Sequence, residues 1–134
     1  ELLKKYADAA VISDLVSKKL IKVVPVKRKS FRIPISMDKG EIEALVLASQ
    51  TATPIVATDD RKAIKACRYL KIPFIISPKI AIELYRMGKI DFEKVKSGVE
   101  KMKIIGRYSP DIIAEALLEL EVIRNAKNSH SQGS

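Results

Sequence analysis

Cysteine occurs once in these 134 residues, at Cys67, so no internal disulfide can form. Its place in an amphipathic helix pattern marks it as a buried core thiol, which fits a reducing cytoplasm. Histidine also occurs once, at His130 near the end of the chain, and this argues against Ser-His and Cys-His nucleophilic catalysis. No apolar run approaches the ~18 residues that a membrane span needs, and no secretion signal opens the chain. Gly-x-Gly-x-x-Gly and Gly-Lys-Ser/Thr motifs are absent, so nucleotide-cofactor binding of those kinds is not expected. Nor does the sequence carry an internal repeat, a linker or a second domain.

What is present is an ordinary globular composition, 47% hydrophobic and 31% charged, which argues against disorder. A chain of this length buries roughly two thirds of its unfolded surface in one domain. The charge is lopsided: 25 Lys and Arg against 16 Asp and Glu give a formal +9. Two readings of that excess stand level. One is a nucleic acid partner, the commonest polyanion that a basic domain meets. The other is a lysine-rich surface tuned for solubility or heat, and the abundant lysine and isoleucine suit a thermophile.

Apolar residues at Leu2, Tyr6, Ala9, Ile12, Val16 and Leu20 share one helix face, predicting a helix over 1–20. A competing reading makes 10–12 a strand. Residues 21–26 read as a strand, with Pro25 pointing to an edge or an early end. Asp38 with Glu41 three residues on forms a capping pair for a helix reaching about Ser49. A strand at 55–58, a helix at 61–70 and a strand at 72–76 follow. Ser77-Pro78 is an N-cap and first-turn proline for a helix to about Met87. Asp91 and Ser109-Pro110 open helices over about 91–102 and 110–125, and 126–134 is expected to be a disordered polar tail whose last six residues read as appended sequence.

Strands separated by helices imply parallel pairing through right-handed crossovers. The expected architecture is α/β, a three-layer α/β/α sandwich with a central parallel sheet, Rossmann-like, in a single domain over 1–125. Three secure strands are few for such a sheet, leaving 10–12 or a segment upstream of Glu1 to supply another.

The segment Pro54-Ile55-Val56-Ala57-Thr58-Asp59-Asp60-Arg61 is the most informative. A buried strand runs into two adjacent carboxylates, at the strand end where parallel sheets collect ligands. Adjacent acids repel each other unless a cation intervenes. Magnesium keeps several waters, so one or two carboxylates plus a substrate phosphate suffice to hold it. Met37-Asp38-Lys39-Gly40-Glu41-Ile42-Glu43-Ala44-Leu45 brings a second acidic element at a helix start. Together the two segments point to a metal-dependent phosphodiesterase. Helix capping stands beside metal binding for Glu41 and for one of Asp59 and Asp60. Arg61, Lys62, Lys65 and Arg68 flank the acidic turn, and Lys27, Arg28, Lys29 and Arg32 with Phe31 form a basic arm. These residues either follow a phosphate backbone or remain solvated charges.

Gly40-Glu41-x-Glu43-Ala44-x-x-x-Ala48, then Ala57-Thr58-Asp59-Asp60-Arg61-Lys62-Ala63, then Lys71-Ile72-Pro73, resemble in order and spacing the PIN domain family over about 21–120. The likeness is to small stand-alone nucleases of toxin-like or RNA-processing type. The resemblance implies an acidic quartet holding Mg2+ or Mn2+ against an RNA phosphate, with Glu41 as the third acid, Asp60 as the fourth and Asp59 assisting. It implies an endoribonuclease acting on RNA, with an antitoxin protein as a further partner, no membrane association and a homodimeric state. The first acid of the family has no counterpart here. The second falls on Glu1, or in another register on Lys19 within Val16-Ser17-Lys18-Lys19-Leu20. Either a segment precedes Glu1 or the site is degenerate. In the degenerate case the protein is a non-catalytic module that binds RNA or a protein.

Overall fold

The computed structural model describes residues 6–27, 33, 35–105 and 108–133. The chain divides into two compact units, Glu1–Phe31 and Arg32–Ser134, where the sequence reading has one domain over 1–125.

The first unit contains helix α1, Ala7–Ser17. Lys19 turns out of it in the left-handed conformation (φ 58), and the Leu20 and Ile21 amides donate back to the Leu15 carbonyl at 3.0 and 3.2 Å. Residues 10–12 lie inside this helix, so the alternative strand there is not formed. The strand expected over 21–26 is not formed either: residues 22–27 join no ladder among the described residues, and Val23 is 79% exposed. Its β-branched residues favour a pleated surface, but that preference is realised only where a neighbouring strand provides one.

The second unit runs α2 (Lys39–Ser49), β1 (Val56–Ala57), α3 (Arg61–Leu70), β2 (Phe74–Ile75), α4 (Ser77–Arg86), α5 (Phe92–Ile105) and α6 (Pro110–Ser131). β1 and β2 pair in parallel across the α3 crossover, as the alternation of strands and helices predicts. The ladder is short for chemical reasons. The Val56 amide donates to the Pro73 carbonyl at 2.9 Å, but Pro73 has no N–H with which to extend the pairing. Beyond the other end, Asp60 and Ser77 already begin helices. Among the described residues the fold is therefore mostly helical with a two-stranded parallel sheet. This differs from the three-layer sandwich with a central sheet that the sequence suggests.

Two apolar clusters hold the unit together. Around the sheet, Leu45, Val46 and Ala48 of α2 are buried along with Val56 of β1 and Ala63, Ala66 and Cys67 of α3. The α3 stripe is made of small side chains at helical spacing, which lets that helix lie close to its neighbours. The second cluster joins Ile82 and Tyr85 of α4, Val95 and Val99 of α5, and Ile113, Ala116, Leu120 and Ile123 of α6. Glu119 of α6 clamps it from outside, accepting from Lys79 Nζ and, at 2.9 Å, from Arg86 of α4.

Helix α6 continues to Ser131, although the sequence reading ends it near 125 and leaves 126–134 as a loose tail. After Pro110 no proline or glycine occurs until Gly133, so nothing breaks the backbone ladder. Lys127 also pins this stretch: its ammonium donates to the Tyr85 carbonyl at 2.7 Å and lies 4.3 Å from the Tyr85 ring centroid.

Candidate active site

The register of the two strands sets the site. Val56 pairs with Phe74 and Ala57 with Ile75, so the second residue beyond each pairing brings Asp59 level with Ser77. The Ser77 amide opens α4 and has no acceptor within its own helix, the situation of every first-turn amide. Asp59 supplies one: Ser77 N–H donates to Asp59 Oδ1 at 2.8 Å and the Ser77 hydroxyl donates to Oδ2. A carboxylate at a helix N-terminus also meets the positive end of the helix dipole. The Tyr108 hydroxyl adds a third hydrogen bond to Asp59.

These contacts set the protonation of the pair. Partial burial pushes the Asp59 carboxyl up, but the two Ser77 hydrogen bonds and that of Tyr108 outweigh it, holding Asp59 below its ordinary value. Tyr108 is pushed up to about 12, first by burial and then by the hydrogen bond and negative charge of Asp59. The site thus holds an ionised Asp59 against a protonated Tyr108 throughout the neutral range.

Asp60 serves its own helix. Its amide donates to Thr58 Oγ1 at 3.1 Å, and its Oδ2 accepts from the Ala63 amide at 2.9 Å as the N-cap of α3. Of the two adjacent acids, then, Asp60 is the capping one and Asp59 reaches across to α4. Both line a cleft of about 550 Å3. Its other wall is one face of α5, where Gly98, Lys101, Met102 and Ile105 recur at helical spacing, joined by Tyr108.

Glu41 is placed differently. It stands at the third position of α2, its Oε2 accepting from the Asp38 amide at 3.2 Å in a capping box. It is not among the residues lining the cleft. Lys62 and Lys65 are exposed on α3, while Arg68 stacks over the Phe74 ring at 5.5 Å. Glu1, Arg28, Lys29, Phe31 and Arg32 lie outside the described residues. Among the described residues, no group of three or more His, Cys, Asp or Glu side chains is gathered as a metal cluster.

Sequence reasoning missed Ser77 as a site residue and missed the α5 face and Tyr108 altogether. Ser77 carried a usable signal, because it follows a strand parallel to β1 and so emerges at the same rim. Tyr108 and the α5 residues carried none locally. They reach the cleft through helix packing, dozens of positions downstream of Asp59.

No curated protein and no solved structure matches the chain. A family model described as PIN domain does match, over residues 1–122, and with most of the sequence covered the chain belongs to the PIN domain family.

Proposed function

We propose that this protein is a Mg2+- or Mn2+-dependent endoribonuclease of toxin or RNA-processing type, working at the cleft beyond β1. Members of its family are generally nucleases and typically depend on divalent metal. The observation that carries the reading is the convergence of Asp59 and Asp60 on a single cleft. Two carboxylates suit a hydrated magnesium ion whose remaining ligands are waters and a substrate phosphate. In this reading Asp60 and Asp59 hold the ion, while Glu41 stays with its capping box outside the cleft. Ser77 and Tyr108 fix the orientation of Asp59, so its carboxylate does not have to be ordered when substrate arrives. Lys62, Lys65 and Lys101 attract the phosphate backbone, alongside Arg61. When bound, the ion supplies a water of lowered pKa and offsets charge developing on the phosphate.

A non-catalytic module that binds RNA or a protein is the second reading. It draws on the lack of a third clustered acid among the described residues. Asp60→Asn separates the two, because asparagine caps a helix as well as aspartate does. For the endoribonuclease, millimolar manganese raises the Tm of the full chain and supports cleavage of single-stranded RNA. The D60N variant keeps the metal-free Tm, loses the manganese-induced rise and cleaves roughly 100-fold more slowly or worse. A wild-type chain that neither gains Tm with manganese nor cleaves RNA is the module instead.

A further inference from the structure

Helix α5 carries a glycine that neither its backbone nor its packing requires. Gly98 sits midway along Phe92–Ile105, outside the left-handed region, and a Cβ built on it meets nothing within 4 Å. Glycine weakens a helix interior relative to alanine, so its presence here calls for another cause. The space left open belongs to the cleft. Counting from Gly98, the positions i+3, i+4 and i+7 are Lys101, Met102 and Ile105, and all four residues line it. This face of α5 is therefore a strip open down to the backbone, edged by a thioether and a branched alkyl group, with an ammonium beside it. Tyr108 contributes a ring to the same cleft, and the two carboxylates close its polar side. The ammonium of Lys101 has no carboxylate partner among the described residues.

A flat apolar group tethered to a phosphate is the chemistry that fits such a strip. We propose that the α5 face seats one unstacked nucleobase of the RNA strand, its plane against Gly98 and Met102, with Lys101 on the adjoining phosphate. The seat rests on the ribonuclease reading and deepens it, assigning the α5 face to the nucleotide beside the carboxylates. A flexible thioether adapts to the face of any base, so the seat discriminates unpaired from paired nucleotides more than one base from another. A duplex keeps its bases stacked inside and cannot offer a face to this strip without unpairing.

The test is Gly98→Leu in the full chain. Binding of a fluorescently labelled single-stranded RNA hexamer is followed by anisotropy, without divalent metal and at low salt. The Cβ of leucine meets nothing within 4 Å, its branches extend into the cleft and the residue favours the helix, so the Tm is expected to hold or rise while affinity falls about tenfold or more. Gly98→Ala is expected to raise the Tm with a smaller loss of affinity. Lys101→Gln, at an exposed position, provides a second folded variant should G98L fail to fold, with several-fold weaker binding expected. Affinity within about twofold of wild type in a folded G98L or K101Q protein overturns the seat. The two readings fail separately. Unchanged binding by G98L together with lost cleavage in D60N removes the seat and leaves the nuclease. Weakened binding by G98L in a chain that cleaves nothing retains the seat and removes the nuclease.

Discussion

At the scale of single residues, Glu41, Asp59 and Asp60 each already have a structural task, and a useful variant separates that task from chemistry. Glu41 closes a capping box, so Glu41→Ala removes an acceptor from the Asp38 amide and is expected to cost about 1 kcal/mol. Glu41→Gln keeps the acceptor and loses the charge. For an acid that serves the ion, E41Q holds the Tm of wild type in thermal melts and still cleaves RNA far more slowly. Equal cleavage by E41Q and wild type would confine Glu41 to capping.

Asp59 and Tyr108 give the pH dependence opposite signs at its two ends. Asp59 titrates in the folded chain below its unfolded value of about 3.9. Its contribution to stability is present above that value and is lost as pH falls through the lower, folded one. Tyr108 titrates in the folded chain at about 12, above its unfolded value near 10. Its contribution is full below pH 10 and is lost as pH rises through 12. Denaturant melts from pH 2 to 7 should show a smaller loss of stability for Ser77→Ala than for wild type, because S77A gives up the hydroxyl bond to the ionised carboxylate while keeping the one from its amide. Parallel curves for the two proteins would mean that the Ser77 hydroxyl does not set the titration of Asp59.

At the scale of elements, helix starts and the parallel pairing of β1 with β2 were legible, and the extent of the sheet was not. Asp38 with Glu41, Asp60 and Ser109 each announce a helix within a few residues, because a cap satisfies backbone amides locally. Ser77-Pro78 opens α4 without the expected serine cap: Ile76 holds the N-cap position and the Ser77 hydroxyl turns to Asp59. The helix spans expected from Arg61 and from Asp38 match α3 and α2. Segment 21–26 has the composition of a strand, but a strand exists only with a partner, and partners are not written locally. The end of α6 went astray for a related reason. Its polar residues suggest a loop, while the contact between Lys127 and Tyr85 that holds the last turns spans 42 positions. The cleft shares this property, since its acids come from the strand end and its other wall from a helix packed through an apolar cluster. Leu120, 1% exposed, belongs to that cluster. Leu120→Ala is expected to destabilise the chain by about 2–5 kcal/mol in urea melts. A change below 1 kcal/mol would mean that α4, α5 and α6 do not share one core.

At the scale of the whole molecule, the +9 charge acquires a use if RNA is the ligand. Each phosphate neutralised on a single strand releases counterions, with a slope of about −0.7 in log affinity against log salt. With Lys62, Lys65 and Lys101 as contacts alongside Arg61, these three lysines contribute about −2 to the slope, and replacing all three by glutamine makes it shallower by about that amount. A slope that stays as steep in the triple variant would place the binding face elsewhere. Membership of the PIN domain family was legible from short motifs, because their order along the chain carries more information than any one of them.

Cys67 is fully buried on the inner face of α3, and burial pushes its thiol up. A thiol in that state is unreactive until the layer above it opens, since thiolate and access are both required. The chain therefore contains its own stopwatch. The rate at which a thiol reagent traps Cys67 measures how often α3 lifts away from the sheet. Asp60 caps that same helix, so any ion or strand that grips the carboxylate should slow the clock without touching the sulfur.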